Sequence, residues 1–149
     1  MSAPELSGRE AIAPGLFTET ADGPRLIGSR CRGCGVVTFP RQKSCAQCTS
    51  TDVEEHLLAR RGALWSWTVQ RFRPKTPPYA GPAGDGFEPY GVGYVELPGE
   101  CRVEAILTEA DPERLQIGMP MELTLLPAPN ASGDEAVTFG YRPLAEEER

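Results

Sequence analysis

Two cysteine knuckles, Cys31-x-x-Cys34 and Cys45-x-x-Cys48, stand ten residues apart and constrain the fold more than any other feature of the chain. A tetrahedral metal needs four ligands from turns tight enough to aim two sulfurs each at one point. A short hairpin between two knuckles brings the second pair opposite the first. The spacer, Gly35 to Ser44, is the length of such a hairpin, and Gly33 and Gly35 suit a backbone bending around an ion. The spacing predicts a structural zinc held by Cys31, Cys34, Cys45 and Cys48, one ion per chain. Disulfides would need an oxidising compartment. A redox Cys-x-x-Cys occurs once beside a strand–helix pattern, and rubredoxin iron uses a far longer spacer. Four thiolates leave no open coordination position, so the metal acts as a staple and not as a Lewis acid. Sites of this type supply about 10–16 kcal/mol of apparent folding free energy.

The remaining residues ask for strands. Sixteen glycines and fifteen prolines in 149 residues argue against a helix bundle and for short strands joined by turns. Apolar residues make up 40% of the chain, enough for a core. No apolar run reaches the roughly 18 residues of a membrane helix. The first ten residues lack the apolar stretch of a secretory signal, so the expected location is the cytoplasm, away from membranes. The net charge of −6 opposes general nucleic-acid binding. The charge is uneven, however: five cations and no acid lie between Arg25 and Cys48, and the end of the chain, 145–149, is acidic.

Along the chain, residues 1–23 read as a leader with at most a short helix around Gly15–Thr18. The ribbon occupies 24–60, a barrel 61–144 and the acidic tail 145–149. Arg61–Phe72 alternates as a half-buried strand, with Trp65, Trp67 and Val69 on the inward side. From Arg73 to Pro89, five prolines and three glycines exclude helix and central strand. Aromatic residues in and beside this stretch make it an ordered binding loop. Tyr90–Leu97 and Cys101–Leu107 form a hairpin through Pro98-Gly99. Asp111–Leu115 is a one-turn helix with Asp111 as its cap. Met119–Leu125 and Ala136–Tyr141 complete five strands, the number of an OB barrel. The fold class is therefore mainly β, a four-cysteine zinc ribbon followed by a five-stranded OB-fold barrel. Cys101 falls in phase with the inward side chains of its strand and reads as core. His56, the single histidine, reads as an ordinary packing or surface residue.

These residues resemble the family known as domain of unknown function thirty-five, a rubredoxin-like zinc ribbon followed by an OB fold. The resemblance rests on the two knuckles, on Pro40-Arg41 and on Gly62–Thr68. It continues through Pro77–Tyr79, Pro89–Leu97, Ile117–Met121 and Phe139–Pro143, covering about residues 12 to 144. It implies an accessory subunit that assembles with a thiolase, a thiolase-like aldolase or a related condensing enzyme and helps shape the acyl-CoA cavity. The catalytic cysteine and histidine would then lie in the partner.

The chain's own residues agree with that expectation. It has one histidine, no Gly-x-Ser-x-Gly elbow and no phosphate-cradling glycine motif, so catalytic residues are expected to be none. The loop residues Phe72, Arg73, Lys75, Pro77, Tyr79, Phe87 and Tyr90 are the expected contacts to the partner and cavity. Arg41, Lys43 and Arg71 are candidate contacts to the phosphates of a coenzyme A thioester shared with that partner. The rival function is single-stranded nucleic-acid binding by a ribbon and OB barrel with stacking aromatics. It requires Trp65 and Trp67 to face outward. A stand-alone thioesterase-like enzyme is a third possibility, disfavoured by the missing acid–base residues.

Overall fold

The computed structural model describes residues 15–72, 88–127 and 137–145. Its first sheet is organised by β2 (Gly23–Cys31), which pairs antiparallel with β1 (Phe17–Thr20), β3 (Val37–Thr38) and β4 (Val53–Leu57). Its middle is buried from Leu26 to Ser29 because neighbours cover both sides. Gly28 is required there, since a Cβ at this position would collide with the carbonyl oxygen of Thr38. Ser29 donates its hydroxyl to the Gln42 carbonyl (3.1 Å) and accepts the Gln42 N–H (2.8 Å), fastening the segment that leads to the second knuckle.

The short helix expected around Gly15–Thr18 is instead the start of strand β1. Gly15 has φ of 79°, outside the helical region, and Phe17 pairs with Leu26 while packing on the core. Edge pairing to β2 satisfies this backbone, which four residues could not do as a helix.

Five further strands close the barrel: β5 (Arg61–Gln70), β6 (Tyr90–Glu96), β7 (Arg102–Leu107), β8 (Pro120–Pro127) and β9 (Val137–Pro143). Their order is β5-β6-β7-β9-β8, and the contact between β7 and β9 is parallel, with the others antiparallel. This is the Greek-key closure of an OB fold, which removes exposed edges. The β6–β7 hairpin turns at Gly99 (φ 72°), as Pro98-Gly99 implies. Asp111–Leu115 is a hydrogen-bonded turn and not a helix. Asp111 accepts the Glu113 N–H through its side chain and the Arg114 N–H through its carbonyl, both at 2.9 Å, and the chain continues without a second turn.

The inward placement of Trp65 is corrected by the structure. A β-bulge between Leu64 and Ser66 inserts one residue opposite β6, so Leu64 and Trp67 face the core while Trp65 points outward, 46% exposed. Trp67 sits opposite Gly93, where a Cβ would lie 2.6 Å from the Ser66 carbonyl oxygen. Alternation alone sets both tryptophans on one face.

Ribbon and barrel share one core. Leu26, Val37 and Leu58 from the first sheet and its exit join Leu64, Val95, Met121 and Tyr141 from the barrel in a continuous buried cluster. Phe39 of the ribbon meets Phe139 of β9 edge to face, with ring centroids 5.5 Å apart. No helix among the described residues is long and apolar enough to cross a membrane.

Candidate metal centre and partner surface

The two knuckles are built alike. In the first, the Gly35 N–H returns to the Cys31 carbonyl (2.8 Å) and the Cys31 N–H donates to Val36 (2.9 Å). In the second, the Thr49 N–H returns to the Cys45 carbonyl (2.9 Å) and the Cys45 N–H donates to Ser50 (2.8 Å). Each turn is completed by a left-handed residue directly after its second cysteine, Gly35 at φ 79° and Thr49 at φ 64°. Glycine adopts that conformation freely; threonine does not, and its presence signals a turn held by its surroundings. Glycine at position 35 is readable in the sequence, whereas nothing about Thr49 announces the same role.

All four sulfurs lie within 4.8 Å of one another, with Cys34 and Cys45 Sγ 3.5 Å apart and Cys31 and Cys48 Sγ 3.6 Å apart. Tetrahedral zinc with bonds near 2.3 Å separates its sulfurs by roughly 3.8 Å, so the set fits the ion. Backbone N–H groups prepare it electrostatically. The Cys45 thiol is lowered to about 6 by the N–H groups of Cys48 and Gln47, each 3.4 Å from Sγ. Cys31 is lowered in the same way by the Cys34 N–H. At Cys34 the Val36 N–H favours the thiolate, but sharing a proton with Cys45 and burial push the thiol up to about 12. Cys48 is raised as well: the Ser50 N–H works against the shift, and the hydrogen bond with Cys31 overrides it. The backbone thus favours the thiolate at one cysteine of each knuckle, and a divalent cation displaces the protons that remain.

The basic stretch from Arg25 to Cys48 is offset by the strand that follows it. Arg30 pairs across the ladder with Glu54, Arg32 reaches Asp52 (3.2 Å) and Glu54 (3.4 Å), and Arg41 reaches Glu55 at 2.7 Å. Of the candidate phosphate contacts, Arg41 is therefore already engaged, while Lys43 and Arg71 are exposed. Among the candidate loop residues, Phe72 is 83% exposed and Tyr90 is half-buried. Arg73, Lys75, Pro77, Tyr79 and Phe87 lie outside the described residues. Tyr90 lines a groove of about 800 Å³ that runs over the outer side of β6 and β7 to the ribbon's Phe39-Pro40 turn.

Cys101 packs against the core, and burial, assisted by the Glu100 carboxylate, pushes its thiol up to about 11. It is protonated at neutral pH and a poor nucleophile. His56 does more than an ordinary packing residue. Its Nε2 lies 2.5 Å from Glu100 Oε2, and Glu100 Oε1 accepts the Ala59 N–H at 2.9 Å. A second cluster sits where the chain enters β5: Glu122 of β8 receives Arg61 (2.8 Å) and Arg142 (2.7 Å) with Arg60 at 3.9 Å. Burial disfavours the Glu122 carboxylate, but these guanidinium groups hold it below its ordinary range.

A four-cysteine ribbon joined by a common core to an OB barrel defines the class of this molecule. The family described as ChsH2, rubredoxin-like zinc ribbon domain, matches residues 21–54, and ChsH2, C-terminal OB-fold domain, matches residues 55–126. The chain belongs to this family, also called DUF35. It is 31% identical over 121 residues to a DUF35 domain-containing scaffold protein of Methanocaldococcus jannaschii, covering 78% of this chain and 79% of that one. It is 32% identical over 134 residues to the benzoylsuccinyl-CoA thiolase subunit BbsA of Thauera aromatica, covering 88% and 86%. Among solved structures, a chain of the Ltp2-ChsH2(DUF35) aldolase superposes with a TM-score of 0.60 at 30% identity, covering 80% of this chain and 84% of that one.

Proposed function

We propose that this protein is a non-catalytic, zinc-stapled accessory subunit of the cytoplasm. It assembles with a thiolase or a thiolase-like aldolase or condensing enzyme and helps form the partner's acyl-CoA cavity. The observation that carries this reading is the near-full-length correspondence to a thiolase subunit, joined to the likeness to a chain of an aldolase assembly. Zinc held by Cys31, Cys34, Cys45 and Cys48 would supply rigidity alone, because four thiolates close the coordination shell. The chain's other thiol, Cys101, is kept protonated by burial, and the side-chain partner of His56 is the Glu100 carboxylate and not a thiol or hydroxyl, so no nucleophile–base pair is formed among the described residues.

On this reading the loop from Arg73 to Pro89, flanked by Phe72 and Tyr90, contributes to the mouth or wall of the acyl-CoA cavity. The cations Arg41, Lys43 and Arg71 stand as its candidate phosphate contacts, with Arg41 least suited because Glu55 already holds it. The outward Trp65 meets only one requirement of a nucleic-acid stacking platform. Arg102 covers its ring, and Glu96 and Glu104 border it, a setting that repels a polyanion. Co-purification of the full-length chain with a thiolase-like subunit, followed by turnover of an acyl-CoA with and without this chain, tests the assignment.

A further inference from the structure

The bulge in β5 places a large aromatic side chain where the core makes no use of it. Trp65 meets Tyr94 edge to face at 6.1 Å, and the Arg102 guanidinium lies 4.0 Å from the centre of its ring. These side chains are held before any partner arrives. Arg102 is fixed by Glu96 at 3.1 Å, and the Tyr94 hydroxyl donates to Glu104 at 3.2 Å. Ile106, 37% exposed, and the half-buried Val92 continue the same outer face toward the groove beside Phe39 and Phe139. Tryptophan, tyrosine and arginine in a fixed arrangement are the residues that dominate binding energy at protein interfaces, and pre-ordering lowers the entropy lost on association. Bulges recur where a strand must re-aim a side chain for function.

The charges on this face select the occupant. Arg102 is neutralised by Glu96, while Glu104 is met by the Tyr94 hydroxyl and by no cation among the described residues. The face is therefore apolar with a carboxylate at its edge, which disfavours nucleic acid or the phosphates of a nucleotide and favours a protein surface with a nearby cation. We propose that the outer face of β5, β6 and β7, centred on Trp65, Tyr94 and Ile106, is where the thiolase-like subunit docks. The partner would insert an apolar projection with a lysine or arginine beside it to pair Glu104. This rests on the accessory role proposed above and names the surface that performs it. Because the groove ends on the ribbon's Phe39-Pro40 turn, the face is complete only while the ribbon is docked on the barrel.

The test uses the full-length chain, tagged and expressed in its own cells, with the retained thiolase-like subunit identified and quantified by peptide mass spectrometry. Trp65→Ala and Ile106→Asp should each lower retention about tenfold or more, and Glu104→Arg should lower it through repulsion. Glu113→Arg, on the exposed turn after β7, should leave it unchanged. Zinc content and Tm are measured for every variant; should Ile106→Asp fail to fold, Trp65→Ala and Glu104→Arg decide the matter. Equal retention by parent and folded variants would overturn the docking face and leave the accessory role standing. A parent that retains no thiolase-like subunit would overturn both. A parent that is a dimer by light scattering, made monomeric by Trp65→Ala, would assign the face to a second copy and overturn the proposal.

Discussion

Glu100, in the turn between β6 and β7, binds His56 of the ribbon strand β4 through one carboxylate oxygen and the Ala59 N–H through the other. One side chain thereby ties the barrel hairpin both to the ribbon sheet and to the segment leaving it. Glu100→Ala should cost about 1–3 kcal/mol, because it deprives two partly buried donors of their acceptor. Urea denaturation followed by tryptophan fluorescence measures the cost. Glu100→Gln, which retains an acceptor for Ala59, should recover part of it.

The purified chain should carry one zinc. Cys31→Ser or Cys45→Ser removes a ligand whose thiolate the backbone already favours, and each should abolish stoichiometric metal and unfold the ribbon. Acidification should release the ion as the thiolates reprotonate. Elemental analysis across a pH series provides the check, and a folded four-serine variant would count against the staple.

Glu122 gives stability a defined pH dependence. Its folded carboxyl is held below the ordinary range, so its contribution is fully present above about pH 5 and is lost as pH falls through the lowered value. Glu122→Gln should be less stable than the parent at pH 7 by about 1–3 kcal/mol, and the gap should close toward pH 3. Comparing the two proteins at each pH cancels the loss of metal they share.

Replacing Tyr79 and Phe87 together with serine should leave zinc content and Tm of the isolated chain unchanged. Affinity for the partner or for its acyl-CoA should weaken, by about 2–4 kcal/mol if these are true anchors. A double variant that assembles and turns over like the parent would make the loop a surface excursion.

Features set by near neighbours are legible from the residues alone. The two knuckles, the Pro98-Gly99 turn and the alternation of Val103, Ala105 and Leu107 all depend on contacts within a few positions of chain. What escapes such reading depends on register between distant strands. A single inserted residue turns Trp65 outward while leaving Trp67 inside, and alternation cannot reveal which residue a bulge will absorb. The basic stretch reads as unopposed because its counter-charges, Asp52, Glu54 and Glu55, reach it only through the pairing of β2 with β4. His56 reads as idle because its partner is 44 residues away. Phe17–Thr20 is a strand only because β2 lies beside it.

The most direct test of the accessory role is turnover of an acyl-CoA substrate by three preparations: this chain alone, the co-purifying thiolase-like subunit alone, and the two together. The account predicts no cleavage or condensation by this chain alone and full activity only in the complex. Cys101→Ala should be silent in that complex, because its protonated thiol takes no part in acyl transfer. Robust turnover by the isolated chain that is lost in Cys101→Ala would contradict it.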